Sequence, residues 1–119
     1  MPSYGTGYPG AVRGQKLETL TTTIASGQTT SGAVKVDGLM IAGVDLGPTL
    51  TGTTLSVQNS VDGSTYRAAY DSTGAAVSWT VAGGRYLKFD PPLLGYQSIK
   101  LVSGSAEGAD RTLTLVLVP

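Results

Sequence analysis

The side chains in this chain best suited to acid–base work are carboxylates, because it contains no histidine and no cysteine. That excludes thiolate chemistry, disulfides and the commonest metal-ligating imidazole. Most of the six Asp sit in turn-forming contexts. Asp37-Gly38, Asp62-Gly63 and Asp71-Ser72 are pairs in which the Asp side chain bonds backbone about two residues on. No two carboxylates stand out as the pair that glycoside hydrolysis needs. Ser60, Asp62 and Asp71 could offer oxygen ligands to calcium, yet their spacing matches no dedicated loop. Ser and Thr hydroxyls are abundant but lack an adjacent base. Trp79 could form a stacking platform for sugars, but it lies in phase with Val77 and Val81 and reads as core. The expectation is a protein that is not an enzyme and takes no cofactor or metal.

Composition narrows the partners. Eight Lys and Arg balance eight Asp and Glu, so the basic surplus that drives phosphate binding is missing and no nucleic-acid partner is expected. Charged residues make up only 13% of the chain, against roughly 25% in ordinary soluble domains, so Ser, Thr, Gly and Gln must cover much of the surface. No apolar run approaches the roughly 20 residues of a membrane-spanning helix, and no membrane partner is expected. Met1-Pro2-Ser3-Tyr4-Gly5 has neither the basic start nor the apolar stretch of a signal peptide.

These groups must be positioned by β-structure. Residues 1–16 lack periodicity and are rich in Gly, Pro and Tyr, which predicts an extended arm. Tyr4, Tyr8 and Arg13 are its candidate partner-binding residues, since Tyr offers large contact area at low entropy cost. Residues 17–119 form the predicted domain. Leu20, Thr22 and Ile24 alternate with polar neighbours, as do Leu55 and Val57, Val77 to Val81, Leu87 and Phe89, Ile99 and Leu101, and Leu113 to Leu117. Leu55 to Gly74 reads as a hairpin about the turn Val61-Asp62-Gly63-Ser64. Asp37-Gly38 either closes a two-residue hairpin pairing Val36 with Leu39 and Val34 with Ile41, or joins strands of different sheets. Asp90-Pro91-Pro92 is expected to end a strand. Val116 and Val118 fall on the outer phase of the last strand, which points to a face covered by a neighbouring subunit or by the arm. About eight or nine short strands at this spacing predict a single antiparallel β-sandwich, jelly-roll-like, with an extended N-terminal arm.

Three blocks carry a family resemblance. The first is Ser31-Gly32-Ala33-Val34 leading through Leu39-Met40-Ile41-Ala42-Gly43-Val44 to Pro48. The second runs from Leu55 to Tyr66, with Tyr70 and Asp71 following. The third is Ser98-Ile99-Lys100-Leu101-Val102-Ser103-Gly104-Ser105 with the strand that begins at Arg111. Together they resemble small virion proteins of tailed bacteriophages. The chain departs from that pattern at Val44-Asp45-Leu46-Gly47, where relatives are more apolar. Ser60 to Tyr66 also resembles the Asp-box turn of β-propeller sialidases, although here Gly63 follows Asp62 directly and the motif occurs once.

The virion resemblance implies a structural role on the outer surface of the capsid. The expected function is that of a decoration, or cement, protein, a homotrimer whose partner is the major capsid protein. It carries over no catalytic residues. The alternatives are a head–tail or tail-fibre accessory module and a carbohydrate-binding attachment domain.

Overall fold

The period-two stretches become nine strands in the computed structural model, which describes residues 17–119. They are β1 (Glu18–Ile24), β2 (Val34–Lys35), β3 (Met40–Asp45), β4 (Thr54–Ser60), β5 (Arg67–Ala68), β6 (Ser78–Thr80), β7 (Tyr86–Leu94), β8 (Ser98–Ser103) and β9 (Arg111–Val118). One sheet has the order β1-β9-β3-β7. The other has the order β2-β8-β4-β5, with β6 also pairing β4.

The pairing has one simple logic. β1 pairs β9, β2 pairs β8, β3 pairs β7, and β4 pairs both β5 and β6, all antiparallel. The first half of the chain thus forms a long ribbon with the second half, and its tip is the turn after Ser60. Rolling the ribbon adds the β3–β9 and β4–β8 pairs and closes two sheets into a jelly roll. The excursion between Ala68 and Ser78 interrupts the strand that returns from the tip. It is tied back by Ala69 N–H to the Val57 carbonyl and by a Tyr70–Ala76 bridge.

Asp37-Gly38 does not close a hairpin between its flanking strands. Asp37 and Gly38 both take positive φ, 50° and 81°, in a tight turn closed by Leu39 N–H to the Val36 carbonyl. The chain then crosses from β2 in one sheet to β3 in the other. The expectation that Asp90-Pro91-Pro92 ends a strand is also corrected. β7 continues through both prolines to Leu94, which β7 tolerates because it is the edge strand of its sheet. Its pairing with β3 jumps from Gly43↔Lys88 to Ile41↔Leu93, so residues 89–92 stand opposite Ala42 alone. The bulge at Ala42 has a reason of its own. Ile41 and Val44 are both fully buried though three residues apart. A regular strand would put them on opposite faces, and one extra residue returns both to the core.

Ile24, Ile41, Leu55, Leu101, Leu113 and Leu115 belong to the dry interior between the sheets. Trp79 of β6 stacks at 4.5 Å on Phe89 of β7 and so joins the edge strands of the two sheets. At the opposite edge the Thr22 hydroxyl of β1 donates to the Gly32 carbonyl at 2.7 Å, just before β2.

One end of the sandwich is organised by a single buried carboxylate. Glu107, 1% exposed, lies in the loop between β8 and β9. Its Oε1 accepts from the Thr51 N–H (2.7 Å) and from Arg111 Nε (3.0 Å). Its Oε2 accepts from the Gly52 N–H (3.0 Å) and the Ser103 hydroxyl (2.8 Å). A Cβ on Gly52 would fall 2.0 Å from Ser103 Oγ, so only glycine lets this loop reach the carboxylate. The Glu107 backbone also bonds Gly27 and Gln28 in the loop after β1. Arg111 extends the network to the hydroxyls of Thr49 and Thr51. Burial alone would raise the Glu107 pKa. The Thr51 N–H, the Ser103 hydroxyl, the Gly52 N–H and the Arg111 guanidinium outweigh it and hold the group at about 2.

Two predictions come from this packing. The folded protein binds the Glu107 proton less tightly than the unfolded chain, whose reference value is 4.5. The carboxylate therefore contributes stability above that pH, about 3 kcal/mol, and loses it as pH falls toward 2. Glu107→Gln is expected to lower neutral-pH stability by about that amount and to flatten the acid limb of a denaturant-midpoint-versus-pH curve. An unchanged acid limb would refute this role. Trp79→Ala is expected to cost about 3 kcal/mol in chemical denaturation, with Trp79→Phe costing less than half of it.

Candidate functional site

Asp62 and Asp71, the carboxylates the sequence offers to calcium, are occupied in holding turns, whereas Asp37, expected to do the same, makes no side-chain hydrogen bond among the described residues. Ser60 Oγ donates to Asp62 Oδ1 at 3.0 Å, and the N–H groups of Ser64 and Thr65 reach the same oxygen at 2.8 Å. Gly63 N–H in turn donates to Ser60 Oγ, so the ribbon tip is a closed polar turn. The Thr65 and Ser64 N–H groups, with the Ser60 hydroxyl, lower the Asp62 pKa to about 2. Asp71 is lowered too, first by the Thr73 hydroxyl and then by the N–H groups of Ala75 and Thr73. Asp45 accepts from the Gly47 N–H, and Asp110 from the Ser26 N–H. Asp62 and Asp71 thus serve separate turns, as their turn-forming neighbours predict. Among the described residues no group of three or more His, Cys, Asp or Glu is placed to hold a metal ion.

Tyr4, Tyr8 and Arg13 lie outside the described residues, as does the rest of the predicted arm. Trp79 is half-buried against Phe89 and packs on the core, where its phase with Val77 and Val81 puts it. Its role is accordingly to close the sandwich edge.

The two outer faces differ in kind. On the β2-β8-β4 sheet the face is polar: Lys35, Lys100, Gln58 and Ser56 point outward by register. Tyr66 lies across that face, with its hydroxyl 2.8 Å from Ser98 Oγ and the Lys100 ammonium 4.4 Å from its ring centre. On the β1-β9-β3-β7 sheet the outer face carries threonines over one part, in the pairs Thr21↔Thr114 and Thr23↔Thr112. Toward the other end it turns apolar. Met40 pairs with Val118 on one side and Leu94 on the other. Leu17 stands one position beyond the Glu18↔Leu117 pair and so flanks Val118. These four residues form a row across β7, β3 and β9 to the residue just before β1. Leu17 is 66% exposed and Leu94 44%, with Val118 and Met40 half-buried between them.

Tyr86 extends this surface. Gly43 sits under its ring, and a Cβ there would lie 2.7 Å from the Tyr86 ring and hydroxyl and 2.6 Å from the Leu87 carbonyl. Val116, paired with Gly43, completes the patch. An apolar strip that leaves large side chains in water is the kind of surface that marks an interaction site. Val116 and Val118 signal it in the sequence, by standing out of phase with the core. Leu17, Met40 and Leu94 escape sequence reading, because their alignment depends on strand order and on the bulge at Ala42.

Compared with protein-family models, curated proteins and solved structures, the chain matches none.

Proposed function

We propose that the chain is a structural virion protein: a capsid decoration, or cement, protein that binds and stabilises the assembled head of a tailed phage. The observation that carries the reading is the apolar row Leu17–Val118–Met40–Leu94 on an outer sheet face, contiguous with the point where residues 1–16 join the domain. A jelly roll whose Asp45, Asp62 and Asp71 hold its own turns, and whose outer face carries an exposed apolar row, is suited to lateral association. The resemblance of the three sequence blocks to small virion proteins supports the same reading.

The mechanism is mass action. A protein that binds the assembled shell and not its dissociated parts stabilises the shell by its binding free energy, repeated at each site. A homotrimer at local three-fold positions of the shell matches the symmetry of such sites. The major capsid protein is the partner, and Tyr4, Tyr8 and Arg13 are the arm contacts.

The test is a binding assay on heads assembled without the protein. Added protein is expected to saturate the shell and raise its melting temperature. Leu17→Asp with Leu94→Asp is expected to weaken occupancy at least about tenfold while leaving the isolated domain folded. Deletion of residues 1–16 is expected to lower occupancy as well. Sedimentation of the free protein should give three times the 12.1 kDa chain mass. Heads that take up none of the protein would overturn the reading, and label confined to one vertex would reassign it to a head–tail role.

A further inference from the structure

At the ribbon tip the sandwich opens into a cleft of about 450 Å³, within the size range of small-ligand sites. Three independent features meet there. Asn59 continues the inward phase of Leu55 and Val57, where an apolar side chain would ordinarily stand. Its Nδ2 is buried and has no hydrogen-bond partner among the described residues. A buried amide donor left unpaired costs about 1–3 kcal/mol. Tyr96, a residue 49% exposed, lines the same cleft with φ at +56°, a left-handed conformation uncommon for a bulky residue. Arg67, exposed on β5, has no carboxylate partner within ion-pair distance among the described residues.

We infer that this cleft binds a neutral saccharide. Asn59 and Arg67 supply donors. The turn bonds to Asp62 all fall on Oδ1, which leaves Oδ2 as an acceptor at the cleft wall. A ligand that satisfies donors and an acceptor side by side must carry groups that both accept and donate, and vicinal hydroxyls do so. Arg67 and Asp62 carry opposite charges, so the cleft favours a neutral ligand over an acidic one. The Tyr96 ring, with Val61 at 77% exposure, offers the apolar surface on which the C–H face of a pyranose rests. The unpaired amide and the left-handed tyrosine are costs to folding of the kind that persist where a site uses them. The cleft lies at the tip turn beside β4 and β5, and none of its lining residues belongs to the Leu17–Val118–Met40–Leu94 row, so the inference stands independently of capsid binding.

The test is a titration of the full chain with methyl glycosides of glucose, galactose, mannose and N-acetylglucosamine, followed by NMR. Glucuronate serves as the acidic comparison and glycerol as the non-specific one. At least one neutral glycoside is expected to bind with roughly millimolar affinity and to shift the Asn59 side-chain amide signals. Asn59→Leu removes the unpaired donor, so it is expected to weaken binding about tenfold without lowering thermal stability. Tyr96→Gly relieves the left-handed backbone, so it is expected to raise stability while weakening binding by a similar factor. Binding of none of the neutral glycosides, binding of glucuronate alone, or undiminished binding in both variants would overturn the inference.

Discussion

A buried carboxylate is the constraint on which the rest of this sandwich depends. Glu107 sits at 1% exposure with both oxygens filled by donors from the loop after β3, from the end of β8 and from the start of β9. An ion buried with less company would be costly, and its pKa would rise. Here the donors more than offset desolvation, so the charged form is the stable one. The consequence is structural. The loops after β1, β3 and β8 cannot move independently, because each contributes a bond to the same residue. The loop between β6 and β7 joins them through Gly84 N–H to the Gly47 carbonyl.

That arrangement makes the two ends of the molecule unlike. The Glu107 end is a network of satisfied polar groups. The other end is joined largely by backbone bonds: Val36 and Asp37 N–H to the Gln97 carbonyl, Gly38 N–H to the Tyr96 carbonyl, and Gln97 N–H to the Ser60 carbonyl. Leu17, Val61, Leu94 and Tyr96, four of the large exposed apolar side chains, gather there. With charged residues at 13% of the chain, few surface charges are available to screen such a patch. The ribbon topology explains the segregation. Its rolled halves bring the tip turn, the β2–β3 crossing and the β7–β8 corner to one end, and the loops that carry Thr51, Arg111 and Glu107 to the other.

The sheet faces were legible in the sequence wherever the period of two was uninterrupted. Leu20-Thr22-Ile24 and Leu113-Leu115-Leu117 pair in register on the core side, as alternation requires. Legibility failed where a tertiary feature altered the count. Ile41 and Val44 share a face only through the extra residue at Ala42, which no local pattern announces. Pro91 and Pro92 break a strand by propensity, yet they fall in the unpaired stretch of an edge strand, where their missing N–H groups cost no ladder bond. Glu107 reads as an ordinary loop residue, since its donors Thr51 and Gly52 lie 56 and 55 residues away. Asn59 follows Leu55 and Val57 in phase, but nothing in a one-dimensional pattern separates an inward amide with partners from one without.

The contrast between Glu107 and Asn59 bears on where this molecule meets others. Both place polar atoms in the interior, and the same physics applies to each. A buried polar group is tolerated when its partners are built in, and is destabilising when they are not. At Glu107 the fold supplies four donors, so no outside group is needed and no room is left for one. At Asn59 no described residue supplies an acceptor to Nδ2, and the residue lines an open cleft instead of a sealed core. A well-packed apolar residue at position 59 would continue the Leu55–Val57 stripe and avoid the cost. Packing therefore explains Glu107 fully and leaves Asn59 without an account from within the fold. Among the described residues nothing completes its hydrogen bonding, and it lies at the same end where the apolar side chains are exposed.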